Sequence, residues 1–475
     1  MGSNPFRQDR GEFSELIQNY LKFKAGLSAF FIDEEGFERI IDYYNEKESF
    51  PEAFEAAEFG CAQFPYSSSL LVKKADVLVS LRRYEESLSV LDFAELFDGT
   101  DGLSYIIRTE ALLALDRKEE AFSIFEVICD TFEGEELIEV LFEVMDVYDD
   151  YEHFDKVFDA LKIILKLEPS NEEALYKICF WTDFTGRNEE SIVLHQQIID
   201  DNPYAELAWF NLGAAYQGLK LYEKAIDAYQ YAVAIEEKFD YAYRNMGDAF
   251  IKLRKFKEAI EVLEKVTQLS RPESIIFEAI GHCFDKLKNY SQARVNYRKA
   301  LHLNQEDSQL HYKIGCTYMG EENWTNAIKS IEQALRIHQM QPEYNLALGR
   351  CYLQLQKYDT AVVHLGNVVR VRPKSIAGWV ELLTCMFEAE LFEDGYEYAA
   401  AAFEQTSSKP IFLYYKSAFL FAAGQSKQGL AYLEYALNSN SKYIKQMLEL
   451  YPALLQNQQV VDLISRYKKN KKSRK

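Results

Sequence analysis

The sequence has few residues that break, cross-link or anchor a chain. Its 475 residues include 10 prolines and 21 glycines, too few for collagen-like, linker-like or mucin-like sequence. Seven cysteines (Cys61, Cys129, Cys179, Cys283, Cys316, Cys351 and Cys385) are scattered with no CxxC. That excludes a dense disulfide framework and a sequence-local zinc site, and it points to a reducing, cytoplasmic setting. No apolar run approaches the roughly 18 residues of a membrane span, and the opening MGSNPFRQDRGEF lacks the apolar core of an export signal. Positive charge is also scarce. Lys and Arg number 53 against 75 Asp and Glu, a net charge of -22, which opposes general nucleic-acid binding. Phosphate loops ending in Gly-Lys-Ser/Thr, GxSxG and HExxH are all missing, so neither catalysis nor a cofactor is expected.

What is present is a chain that is 48% hydrophobic, with 32 Tyr and 32 Phe, able to bury a large core and unlike a disordered segment. Its charge is uneven. Residues 1–200 hold 18 Lys and Arg against 44 Asp and Glu, net -26, while residues 201–475 hold 35 against 31, net +4. The last ten residues carry seven cations (Arg466, Lys468, Lys469, Lys471, Lys472, Arg474, Lys475).

The order comes from a 34-residue period. Pro169 and Pro203 are 34 residues apart, Pro203 and Pro373 five times that, and Pro65 and Pro169 three times that plus two. In the clearest unit, Trp209, Leu212, Gly213 and Tyr216 precede Ala225, Tyr229 and Ala232. Stepping by the period gives Gly247 and Ala259, Gly281 and Ala293, Gly315 and Ala327, then Gly349 and Ala361. Apolar residues at i, i+3, i+4 and i+7 place one stripe on each of two helices per unit. The small residue lets the paired helix approach, and the alanine twelve positions later reads as its counterpart. Tyr and Trp at the large positions then fill the space the small ones leave. A bulky residue at Gly281 is expected to overpack. Units are expected to start near 34, 68, 104, 138, 172, 206, 240, 274, 308, 342, 376 and 410. The third unit departs most: its turn at Asp116-Arg117-Lys118 reads as short, with Ala111 and Ala121 ten apart. The eleventh has Leu383 and Gly395 where Gly and Ala are expected.

At these residues the pattern resembles the tetratricopeptide repeat family. The resemblance implies an all-α, right-handed superhelical solenoid of about 12 helix-turn-helix repeats, whose first helices line a concave groove. The expected division is 1–33 for an N-terminal segment and capping helix, 34–440 for the repeats (most regular at 172–375), 441–467 for C-terminal capping helices and 468–475 for a basic tail. His282 with Cys283, and His311 with Cys316, are the nearest metal-like pairs. Cys283, Cys316, Cys351 and Cys385 sit beside the small-residue positions, so packing is the expected role and no metal is expected. The acidic run Asp146, Asp149, Asp150 and Glu152 lacks the spacing of a calcium loop and reads as a solvated turn.

The family's groove positions, carried onto this sequence, nominate Phe142, Asp146, Asp149, Tyr176, Asp183, Phe210, Arg244 and Tyr312 as partner-binding residues. The opposing reading is that some of these rings pack between repeats. The family's Lys/Asn/Lys/Arg clamp for acidic peptides is not matched, since Phe210, Ala214, Ile275 and Ala279 stand in its places beside Asn245. The expected role is therefore a non-enzymatic scaffold binding another protein through a basic, partly apolar segment. A peptide-sensing regulator and an RNA-associated adaptor using the basic tail are the alternatives. No membrane partner is expected, and homo-oligomerisation stays open.

Overall fold

The computed structural model describes residues 5–25, 31–97 and 101–472, with side chains from 15 to 467 within those ranges. Among them every regular element is helical. A leading helix, α1 (Pro5–Lys24), precedes twelve hairpins. The first four are α2 (Glu34–Glu46) with α3 (Phe50–Gln63), α4 (Ser68–Ser80) with α5 (Tyr84–Ala94), α6 (Gly102–Ala114) with α7 (Lys118–Thr131), and α8 (Gly134–Asp150) with α9 (Phe154–Leu167). The next four are α10 (Glu172–Thr185) with α11 (Asn188–Asp201), α12 (Glu206–Gly218) with α13 (Tyr222–Ile235), α14 (Asp240–Lys252) with α15 (Phe256–Leu269), and α16 (Ser274–Lys286) with α17 (Tyr290–Leu303). The last four are α18 (Ser308–Gly320) with α19 (Trp324–Ile337), α20 (Pro342–Gln354) with α21 (Tyr358–Val371), α22 (Ile376–Glu388) with α23 (Phe392–Gln405), and α24 (Ile411–Ala422) with α25 (Ser426–Ser439). Two further helices, α26 (Ile444–Leu450) and α27 (Gln458–Lys472), close the chain. Residues 26–30 of the expected N-terminal cap, and the side chains of the basic tail from 468 onward, lie outside the described residues.

The chain forms two compact units that divide after Glu237. Hairpins one to six belong to the first, and hairpins seven to twelve with α26 and α27 to the second. Within each, successive helices pack on one another in chain order. In the first unit, first helices also touch first helices, α2 against α4, α4 against α6, α6 against α8 and α10 against α12. No described helix is long and apolar enough to cross a membrane.

Six of the twelve first helices start on a side-chain cap. Asp33, Ser67, Asp101, Asn171, Asp307 and Ser375 are N-caps whose side-chain oxygens accept a backbone N–H of the first turn. Each hairpin turn then holds one residue in the left-handed region, with φ between 55° and 76°. These are Glu48, Arg82, Asp116, Glu152, Gly186, Lys220, Arg254, Lys288, Glu322, Gln356, Glu390 and Gly424. They follow each other at 34 residues except from Asp116 to Glu152, which takes 36. At Lys220 the closing bonds are Lys220 N–H to Gln217 O at 2.8 Å and Leu221 N–H to Tyr216 O at 2.9 Å, a Schellman end. Ten of the twelve positions are not glycine, and a side chain there costs roughly 1–2 kcal/mol. Lys220→Gly is therefore expected to raise stability by roughly 0.5–1 kcal/mol, after allowing for the extra chain entropy of glycine. Thermal unfolding tests this, and a lowered midpoint would refute the strain argument.

The turn register corrects the sequence reading of the third hairpin. Asp116 is its left-handed residue, so the small position is Thr109, fully buried, twelve residues before Ala121. The hairpin is regular, and the two extra residues fall between α7 and α8, where α8 gains a turn at its start.

The partner of each small residue is also different from the expected one. A Cβ at Gly213 would stand 2.5 Å from Cε1 of Tyr229. Gly247 meets Leu263, Gly281 meets Tyr297, Gly315 meets Ile331 and Gly349 meets Leu365 in the same way. The filler is thus sixteen residues on, and the alanine twelve residues on lies buried alongside. Trp209 is not a filler. It is part-exposed, its indole donates to Pro203 O at 2.9 Å, and its ring stacks on Tyr231 with centroids 4.3 Å apart. In the first and eleventh hairpins the sizes are reversed, Ile41 over Ala57 and Leu383 over Ala399, all four buried. Gly395 is explained by the next hairpin, because a Cβ there would collide with the ring of Phe419.

Candidate binding surface

In the fifth hairpin the small position is Cys179 and the filler is a histidine. His195 is fully buried. Its Nδ1–H donates to Ser191 O at 2.7 Å, and its Nε2 accepts from the Asn211 amide at 3.2 Å. Asn211 also donates to Leu175 O at 2.8 Å, and Thr182 donates to Ser191 Oγ at 3.2 Å. Both ring nitrogens are matched to a neutral imidazole, and burial pulls the pKa down to about 4. This network joins α10, α11 and α12.

The outer side of α10 is aromatic. Tyr176, Phe180 and Phe184 follow at i, i+4 and i+8 and are 63%, 60% and 57% exposed. Phe180 and Phe184 lie nearly parallel at 5.8 Å, and Trp181 stands edge-on to Phe180 at 4.9 Å. Phe154, at the start of α9, stacks on Trp181 at 5.3 Å and meets Phe184 at 4.7 Å. A cleft of about 360 Å³ opens beside Phe184, lined by Phe122, Glu152, His153, Phe154 and Lys156. Phe180 and Phe184, in contact and exposed together, form the kind of contiguous apolar patch that marks interaction sites.

Carboxylates flank the rings. Asp183 is exposed on α10 between Phe180 and Phe184, and Asp146 and Asp149 are exposed on α8. Burial, then Asp150 and Asp146, hold the Asp149 carboxyl above its ordinary range, against the pull of Lys177. Lys177, on α10, lies 5.3 Å from the ring centre of Phe142 and pairs with Glu173 at 2.8 Å. Phe142, Asp146, Asp149, Tyr176 and Asp183 thus lie on the outer sides of α8 and α10. The remaining nominated residues lie elsewhere. The Phe210 ring is 5.8 Å from Tyr229. Arg244 binds Glu273 through two nitrogens at 2.8 and 2.6 Å, and the Tyr312 ring lies tilted against Tyr344 with centroids 4.9 Å apart.

Not all acidic groove positions are open. Asp42 pairs with Lys73 at 2.6 Å, Asn45 donates to Asp76 at 2.8 Å, and Ser69 donates to Glu38. These bonds tie one first helix to the next. In the second unit Lys313 with Glu278 and Arg350 with Glu381 do the same. Asp146, Asp149 and Asp183 form no ion pair among the described residues. The cysteines are all free thiols, with Cys283, Cys351 and Cys385 buried, and no group of three or more His, Cys, Asp or Glu among the described residues is arranged to hold a metal.

Sequence reading took only the fifth position of each first helix for aromatics and so missed Phe180 and Phe184. Their signal was legible: bulky rings at i, i+4 and i+8 on the side of α10 opposite Ala174, Leu175, Ile178 and Thr182, which are the buried ones.

Two family models match this chain. Residues 213–346 match the tetratricopeptide repeat protein 21 C-terminal ARM domain, and residues 344–375 match the tetratricopeptide repeat. Among solved structures, the C-terminal part of a TPR repeat-containing protein from Cytophaga hutchinsonii is 18% identical, over 54% of this chain and 98% of that one, with a TM-score of 0.44. Pseudomonas aeruginosa pilF is 20% identical over 46% and 96%, at 0.37. The Cut9–Hcn1 assembly of the APC/C is 13% identical over 89% and 94%, at 0.35. No curated protein matches the sequence.

Proposed function

Because the chain is a tetratricopeptide repeat protein, we propose that it is a non-catalytic scaffold whose α8 and α10 face binds a basic, partly apolar segment of another protein. Repeat proteins of this kind generally bind other proteins. The observation that carries the reading is the exposed triplet Tyr176, Phe180 and Phe184 on α10, with Asp183 on the same helix and Asp146 and Asp149 on α8, three exposed carboxylates that form no ion pair among the described residues. Rings supply apolar contact area at low entropic cost, and carboxylates steer a cationic partner. The face sits in the half of the chain whose first 200 residues carry net -26, so encounter with a cationic segment is favoured at a distance and weakened by salt. In the same reading, residues 34–440 carry the repeats, 1–33 and 441–467 cap them, and 468–475 form a basic tail. The seven free thiols support a reducing, cytoplasmic setting.

Screening a random peptide library with wild type and with the Asp146→Lys/Asp149→Lys variant tests the proposal. Wild type should select sequences rich in Lys, Arg and aliphatic residues, and the variant should lose them. An unchanged selection would overturn the reading.

A further inference from the structure

Resting on that reading, we infer that the α10 face selects arginine over lysine in the segment it binds. The first unit repeatedly places a cation over a ring face and a carboxylate at the cation's edge. Lys156 lies 5.0 and 4.8 Å from the ring centres of Phe122 and Phe125, and Lys177 does the same at Phe142 with Glu173 beside it. Lysine makes the shortest approach, Lys47 at 4.0 Å from the ring centre of Tyr43, and arginine makes those that also grip a carboxylate through two nitrogens. Arg187 lies 4.3 Å from the ring centre of Phe158 while its Nε and Nη2 donate to the two oxygens of Glu190 at 2.7 and 2.8 Å. Arg83 lies 4.7 Å from the ring centre of Phe54 and grips both oxygens of Glu86.

Tyr176, Phe180 and Phe184 have the rings and the neighbouring acids of this arrangement, and no described cation stands over them. Phe180 and Phe184 stack with their planes inclined by 25° and are each more than half exposed, so each offers an open ring as a platform, with Asp183 between them in sequence. A guanidinium lies flat on such a platform while its in-plane N–H groups reach a carboxylate in forked geometry. An ammonium is compact and more strongly hydrated, so it gives up more hydration on a ring and offers a carboxylate no planar fork. The missing cation is therefore an arginine supplied by the partner, and its nearest models are the chain's own Arg187 and Arg83.

Calorimetric titration of the full chain with two capped peptides tests this. One peptide is three Leu-Arg-Ala-Leu units, and the other has every Arg replaced by Lys. The arginine peptide is expected to bind about tenfold more tightly, the gain of a ring-stacked, partly desolvated cation. That preference should disappear in Phe180→Ala/Phe184→Ala, and shrink in Asp183→Asn, which leaves the rings in place. Equal affinities for the two peptides would overturn arginine selection and leave the basic-segment reading standing. Binding of neither peptide would overturn both. A preference that survives in the double ring variant would place the selecting surface elsewhere and overturn this assignment.

Discussion

Gly213→Leu is expected to cost roughly 1–3 kcal/mol and Tyr229→Ala about 3–5 kcal/mol, while the two together cost less than their sum. The first substitution pushes a side chain into the ring that already lies 2.5 Å from the position of its Cβ. The second removes a ring that is wholly buried and leaves Gln217, its hydroxyl's partner at 3.1 Å, without that bond. Combined, they recreate in the sixth hairpin what the eleventh has by nature, Leu383 facing Ala399. Urea unfolding of the four proteins in the cycle measures the coupling. Because neighbouring hairpins in an array open with some independence, local hydrogen exchange in α12 and α13 should accompany it. Additive costs would mean the two residues do not share one space, and the small-to-large account of the hairpins would fall with them.

Acidification from pH 6.5 to about 4 is expected to remove up to roughly 3 kcal/mol of stability through His195 alone. The folded state keeps the imidazole neutral until about pH 4, whereas an unfolded histidine takes up its proton near 6.5. Between those values only the unfolded chain binds the extra proton, so lowering the pH draws the equilibrium toward it. Above 6.5 the effect is absent. No charged group enters the shift, whose causes are burial and the opposing backbone bond to Ser191. His153, His282, His311 and His364 are also held below their ordinary values by burial and slope in the same direction, whereas Asp76, Glu110 and Asp149, held above theirs, slope the other way. His195→Gln isolates the one residue: it keeps an acceptor for Asn211 and does not titrate. The stability gap between wild type and this variant should shrink as pH falls from 6.5 to 4. A gap that stays constant across that range would show that His195 is not held neutral.

Much of the fold was legible because the period is written in glycine and alanine. Gly213, Gly247, Gly281, Gly315 and Gly349 have no alternative where the facing ring or branched chain presses within 3 Å, so the spacing shows through the variation around it. The turns are as regular in geometry and yet invisible in sequence, since Glu, Arg, Asp, Lys, Gln and Gly all occupy the left-handed place. The backbone there is set by the pair of helix-closing bonds, and the side chain points to solvent and leaves no trace. That is why Ala111 passed for Thr109 in the third hairpin. The filler position was hidden for a related reason. Tyr229, Leu263, His195 and Ala399 share a location and no common chemistry, and each is legible only beside its own partner. Of the candidate surface, Asp146, Asp149, Tyr176 and Asp183 followed from the family's groove positions. The internal pairing of Asp42 with Lys73 did not, because it joins residues 31 apart in sequence.

The spacing of the left-handed turns bears on how such a chain changes its length. From Glu152 to Gly424 each turn repeats the last at 34 residues, and each hairpin settles its own large-against-small match between its own two helices. A duplication or loss of one whole period within that stretch would rejoin turn to turn in phase, and only matches that cross hairpins, such as Asn211 on His195 and Phe419 against Gly395, would need to be made again. A gain or loss of any other size must be absorbed, as the two additional residues ahead of α8 are, by lengthening a helix.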